Sequence, residues 1–224
     1  MNAGLNKIFW LWIPLMIVAA QALIELFAPQ GLLGELHSES GPHEFIEFLF
    51  LLMAFFVALR IFPLLKNHPK WLYGWVGLAA LCCFYVAGEE VSWGQHFLKW
   101  STPEYWAHLN DQGETNLHNT SSWLDQKPRL ILLLGVGIGG LVFPALQKFK
   151  PGFLPQQFAI IYPPAILGVT AALAISANLV DKIFEAMVDA PLLSRGSEVE
   201  ELYLFYFVLL YLVVLRRRLM QSGK

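Results

Sequence analysis

Apolar residues run through this chain in stretches of about 20, each long enough to cross the roughly 30 Å hydrocarbon core of a bilayer as a helix. Six such stretches stand out, at 8–28, 43–65, 71–98, 128–147, 160–188 and 200–217. They predict an all-α fold: a polytopic membrane helix bundle of about six transmembrane helices, forming a single integral membrane domain over 1–224. The first stretch is too long for a signal peptide and lacks a small-x-small cleavage pattern after it, so it is expected to remain as an anchor. Pro63, Pro69, Pro151 and Pro155 mark turns on one side of the bundle. The third stretch does not stop cleanly but runs into the polar sequence GEEVSWGQHFLKWSTPEYWAHLNDQGETNLHN over 88–119. Within it Ser101-Thr102-Pro103-Glu104 has the spacing of a capping box with proline just inside the start. A short helix is therefore expected at 103–110, lying flat at the interface with Tyr105, Trp106 and Leu109 on its apolar stripe.

Composition agrees. Of the 224 residues 56% are hydrophobic and only 14% charged, against about 25% charged in a soluble domain, and the mean hydropathy is +0.52. A net charge of −2 without a basic patch excludes nucleic acid as a partner. Cys82 and Cys83 are neighbours inside an apolar run, which fits packing rather than a disulfide. Gly135, Gly137, Gly139 and Gly140 lie inside an apolar span with no preceding strand. They fail the context of a nucleotide loop and are expected to let helices approach closely, as are Gly168, Ala172 and Ser176.

Charge sets the orientation. Lys7, Arg60, Lys66, Lys70, Lys148, Lys150, Arg216, Arg217, Arg218 and Lys224 fall on the side of both termini, and only Lys99, Lys127, Arg129, Lys182 and Arg195 fall opposite. By the positive-inside rule both termini are cytoplasmic. All 17 acidic residues then face outward, toward the periplasm if the membrane is a bacterial inner membrane.

Several of those acids sit inside or at the ends of apolar spans, where carboxylates are costly and usually functional. They come with histidines at helical spacing: His43 with Glu47, Glu89 with His96, and Glu114 with His118. Carboxylates and imidazoles converging from several helices are the ligand set of bundle metal sites, and this donor set suits zinc, manganese or iron. His96, His118, Glu89, Glu90 and Glu114 are the expected ligands of a divalent metal. Among Glu89, Glu90 and Glu114, the carboxylate not used as a ligand would act as general base on a water that the metal activates. His43, Glu47, Gln95, Asn116, Asn119, Asp181 and Glu185 are expected to support the site or the substrate. Glu198, Glu200 and Glu201 open the last span, where complementing the helix dipole accounts for them.

The string GEEVSWGQ followed by TPE and QGETNLHN resembles a pattern of uncharacterised multi-pass bacterial membrane proteins. The likeness covers about 32 residues and implies a bacterial inner-membrane location but no activity. The Glu89-Glu90 pair also resembles the first motif, EExxxR, of CAAX-type intramembrane proteases. Here Gly94 stands at the arginine position, and the histidine motifs of that family are missing from the later spans. Membrane ceramidase-like hydrolases bind zinc through an HxxxH pair, which this chain lacks.

The resulting expectation is a membrane-embedded, metal-dependent hydrolase or transferase acting on a lipid or lipid-linked substrate at the periplasmic leaflet, with membrane lipids as partners. Two alternatives stand beside it. One is an accessory or assembly subunit docking a protein partner through its acidic external face. The other is a proton- or cation-coupled transporter, for which the cytoplasmic halves of the spans offer almost no polar side chains.

Overall fold

The computed structural model describes residues 4–29, 41–110, 113–189, 192–193 and 196–222, which are mostly helical with no strand among them. In chain order the α-helices are α1 (Ile13–Phe27), α2 (Pro42–Leu59), α3 (Lys70–Glu90), α4 (Gln95–Leu98), α5 (Glu104–Leu109), α6 (Ser122–Gly137), α7 (Phe143–Phe149), α8 (Gly168–Val188) and α9 (Gly196–Ser222). Five helical segments are long and apolar enough to cross a membrane: Ile8–Phe27, Pro42–Leu65, Lys70–Glu90, Gln126–Phe149 and Ala165–Val188. The bundle is an all-α membrane architecture.

The sixth expected span, 200–217, differs from the other five. It lies within α9, which has 27 residues, yet its uncharged run from Leu202 to Leu215 covers only about 21 Å at 1.5 Å per residue. Glu201 and Arg216 close that run at either end. The helix tolerates this because it is enclosed by protein. Tyr203, Leu204, Leu212, Val214 and Leu215 are all essentially inaccessible, and burial continues around the helix through Phe205, Tyr206 and Phe207. α9 is the hub against which α2 and α8 pack.

Two spans begin or break with the same device. A π-helical turn at Ile8–Trp12 precedes Pro14, and another at Ile138–Val142 precedes Pro144. Proline lacks an N–H and its ring crowds the preceding turn, so the helix widens there. In the widened register the N–H of Ile13 bonds Ile8 O, and the next donor would be that of Pro14. The carbonyl of Phe9 is thereby freed, and the Tyr206 hydroxyl donates to it at 2.7 Å. The Tyr203 hydroxyl donates to Pro14 O at 2.9 Å, and Arg217 donates to Gly4 O. These contacts lay the N-terminal helix antiparallel along α9.

Close approach of the small residues is realised at Gly140. A Cβ there would stand 2.5 Å from Ala171 Cβ and 2.9 Å from Phe207 Cε2. Between helices in lipid, such van der Waals contact supplies much of the association energy.

Charge segregates along the bundle. Glu47 near the start of α2, Glu90 at the end of α3 and Glu201 near the start of α9 come together at one end. At the other end Arg218 donates to Ile160 O at 3.2 Å and to Tyr162 O at 2.5 Å.

Candidate functional site

The acidic end holds two polar assemblies that share the terminus of α3. The first is a carboxylate triad. One oxygen from each of Glu47, Glu90 and Glu201 lies within 4.8 Å of the others. Glu47 reaches it because it lies on the core-facing stripe of α2, His43, Glu47, Leu51, Ala54 and Ala58, all buried at helical spacing. Glu90 continues the buried stripe of α3 through Ala80, Cys83 and Ala87. Glu201 comes from the second turn of α9, and its Oε1 accepts from Arg129 of α6 at 2.5 Å.

Glu47 has no solvent exposure, and neither of its oxygens accepts from a protein N–H or O–H donor. Its polar neighbours in the triad are the Glu90 and Glu201 carboxyls. The strongest charges acting on Glu47 are Glu90, Glu201, Glu198 and Glu44, all of its own sign. A buried carboxylate so placed needs positive charge at the triad, as a shared proton or a bound cation. The three carboxylates are thus arranged as a set that could hold a metal ion.

The second assembly is the loop after α3. The third span ends at Glu90 rather than continuing to 98, because Ser92, Trp93 and Gly94 take positive φ of 45°, 55° and 103°. The break folds Trp93 back onto α3, over Gly88, where a Cβ would stand 2.8 Å from Trp93 Cε3. Trp93 Nε1 donates to Glu89 Oε1 at 2.7 Å, and the ring meets Phe84 and Tyr85 edge-on at 6.0 Å. Glu89 Oε2 accepts from Leu117 N at 2.6 Å. Glu89 therefore ties the loop to the helix end.

Beyond the break the polar side chains interlock. Glu114 Oε2 accepts from Ser92 Oγ at 2.6 Å and from Asn116 Nδ2 at 2.7 Å. Glu114 Oε1 lies 2.7 Å from His96 Nε2. Gln95 donates to Thr102 Oγ1 at 2.8 Å and accepts from the Thr115 amide at 2.8 Å. Thr102 in turn donates to Gly113 O. The expected capping box is absent: Pro103 occupies the cap position of α5 with no side-chain bond.

His96 projects between the assemblies. A carboxylate accepts and does not donate, so Glu114 fixes the ring proton on Nε2 and leaves the Nδ1 lone pair free in the neutral ring. Nδ1 lies 4.0 Å from Glu44 Oε2. Both residues line a cleft of about 340 Å³ with Gly41, Pro42, Phe45, Glu90, Val91 and Phe97. Glu90 thus belongs to the triad, beside the buried Glu47, and also to the wall of an open cleft.

The residues singled out from sequence are accordingly divided. Glu90 and Glu47 meet in the triad. Glu89, Glu114, His96, Gln95 and Asn116 lie in the loop assembly. Glu89 and His96, expected two turns apart on one helix, are separated by the break at Ser92–Gly94. The backbone of His118 and Asn119 forms a short 3-10 turn, His118–Thr120, and the side chain of His118 lies outside the described residues. His43 is buried one turn before Glu47. Asp181 Oδ1 accepts from the amides of Leu192 and Leu193 at 2.9 and 2.8 Å, anchoring the connection to α9, while Glu185 is exposed. The side chain of Asn178 and residues Glu35, His37 and Glu39 lie outside the described residues.

Glu201, Arg129 and Glu44 were not among the expected site residues. A dipole argument accounts for glutamates near a helix start without asking which way each faces. Comparison with protein-family profiles, curated proteins and solved structures finds no match.

Proposed function

We propose that the chain is a membrane-embedded hydrolase or transferase that uses a divalent cation at the triad to act on a lipid or lipid-linked substrate. The reading places both termini in the cytoplasm and the site at the periplasmic leaflet of an inner membrane, following the ten-to-five split of basic residues. It rests on one observation: Glu90 connects the donor-less, buried Glu47 to a cleft whose other side is a histidine oriented by a carboxylate.

The cation, when bound, would polarise the electrophilic centre of an ester. Phe45 and Phe97, with ring centroids 6.4 Å apart in an edge-on pair, offer apolar surface to a lipid tail at the cleft mouth. His96 Nδ1 takes the proton of the attacking water or hydroxyl as its oxygen bonds to the ester centre. The same proton returns to the departing oxygen as the old bond breaks, so His96 ends unchanged. Glu114 holds the tautomer that this requires and stabilises the imidazolium that forms.

The test is turnover in liposomes made from native membrane lipid extract, with purified full-length protein and added divalent cation, followed by lipid mass spectrometry. One lipid class should be consumed and its product appear, at least about 100-fold more slowly with Glu90→Gln and His96→Ala, given the usual 10²–10⁴ worth of acid–base catalysis. Unchanged lipids with folded wild-type protein would remove the reading. The partner-docking alternative draws on Tyr105 and Trp123, 71% and 64% exposed at the acidic end; co-purification of a partner lost in Tyr105→Ser would favour it.

A further inference from the structure

We infer that the triad takes a hard, oxygen-preferring divalent cation, Mg2+ or Mn2+, through carboxylates alone, with no imidazole in its protein ligand set. This deepens the proposed function and rests on its premise that the triad holds a divalent cation. It departs from the mixed histidine–carboxylate site expected from sequence.

Donor chemistry is the first argument. Among the described residues, no histidine nitrogen or cysteine sulfur joins Glu47, Glu90 and Glu201 within the 4.8 Å that these oxygens share. Cys82 and Cys83 lie two turns or more back along α3. His96 is committed elsewhere, its Nε2 at 2.7 Å from Glu114 Oε1 and 3.2 Å from Ser92 Oγ. An all-oxygen set of carboxylates completed by water is the environment that suits magnesium and manganese, whereas imidazole and thiolate favour zinc and iron.

Charge is the second argument. The triad's three carboxylates, with Glu198 and Glu44 close enough to act on Glu47, outnumber the guanidinium of Arg129 at Glu201, and a divalent ion offsets that excess of negative charge. Burial is the third. Glu47 is fully enclosed, its two oxygens accept from no protein donor, and it points at Glu90 and Glu201. A carboxylate kept for packing alone would be the worst choice on a stripe that continues from it through Leu51, Ala54 and Ala58. Glu90, partly exposed beside the cleft, gives a route for water and ion.

The experiment is Mn2+ titration of detergent-solubilised full-length protein by electron paramagnetic resonance, with pulsed detection of nitrogen coupling. Stoichiometric Mn2+ should bind, be displaced by Mg2+ and show no imidazole nitrogen coupling. Affinity should hold in His96→Ala and His43→Ala and fall at least about 100-fold in Glu47→Gln, beyond the 10–100-fold typical of losing an outer-shell partner. Glu90→Gln repeats that test should Glu47→Gln fail to fold. Imidazole coupling, failure of Mg2+ to compete, loss of binding in His96→Ala, or a folded wild type that binds no Mn2+ would each overturn the inference. Lipid turnover independent of any cation would sink this inference and leave a lipid-active enzyme standing. Cation binding without turnover would do the opposite.

Discussion

Glu89 and Glu90 are adjacent in sequence and serve different assemblies. Glu89 accepts from Trp93 Nε1 and from the Leu117 amide, while Glu90 meets Glu47 and Glu201 in the triad. Successive residues on a helix point about 100° apart, so a pair at a helix end reaches two partners that a single residue cannot. Glu89→Ala should therefore loosen the loop without touching the triad. Two charge-assisted bonds to a buried carboxylate are lost, costing about 3 kcal/mol. Hydrogen exchange over 99–121 should accelerate, while Mn2+ affinity stays near wild type. Matched loss of cation binding would show that the two carboxylates act as one unit.

Gly88 offers a sharper steric test of the same corner. A methyl group there would stand 2.8 Å from the Trp93 ring, and the ring is held by its bond to Glu89. Gly88→Ala should displace Trp93 and cost about 2 kcal/mol, the usual scale of overpacking. Gly74→Ala, where nothing lies within 4 Å, should leave the melting temperature unchanged or slightly raised. Tryptophan fluorescence and thermal unfolding of both variants in one detergent make the comparison.

Most of the spans were readable from the chain because a bilayer permits few backbone solutions. The exception, α9, is instructive: its short uncharged run reads as a marginal span, and only tertiary enclosure makes it the hub. Inside the polar segment, composition pointed to the right region but not to the pairing. Nothing in the spacing of Glu89 and His96 announces that Ser92, Trp93 and Gly94 all turn to positive φ. That break follows from Trp93 finding room over Gly88 and a bond to Glu89. Glu201 was hidden for another reason: its place near the start of the last span had a sufficient local explanation, and Arg129, its partner, is 72 residues away.

Arg129 compensates part of the triad and should be conditionally required. Both its side chain and that of Glu201 are largely buried, 22% and 18% exposed. Arg129→Met leaves the carboxylates without that guanidinium and should cost about 3 kcal/mol. In the double variant Arg129→Met with Glu201→Gln, much of the loss should return, since the stranded charge is removed with its partner. Thermal unfolding of the two single variants and the double, treated as a cycle, measures the coupling. Additive losses would mean that the 2.5 Å contact contributes little.

His96 carries the prediction that separates a catalytic arrangement from a merely polar loop. With Nε2 bonded to Glu114, wild-type His96 should hold its proton on Nε2, which selective 15N NMR of the imidazole reads directly. Glu114→Gln keeps the size of the side chain but can present an amide N–H to Nε2, which favours the opposite tautomer with the proton on Nδ1. The expected outcome is a changed tautomer ratio and lipid turnover slowed by about 100-fold or more, while Mn2+ affinity is retained. His96→Gln should match that loss of turnover and add nothing when combined with Glu114→Gln, because the second residue acts only through the first. A further drop in the double variant would assign Glu114 a separate role at the substrate or the ion.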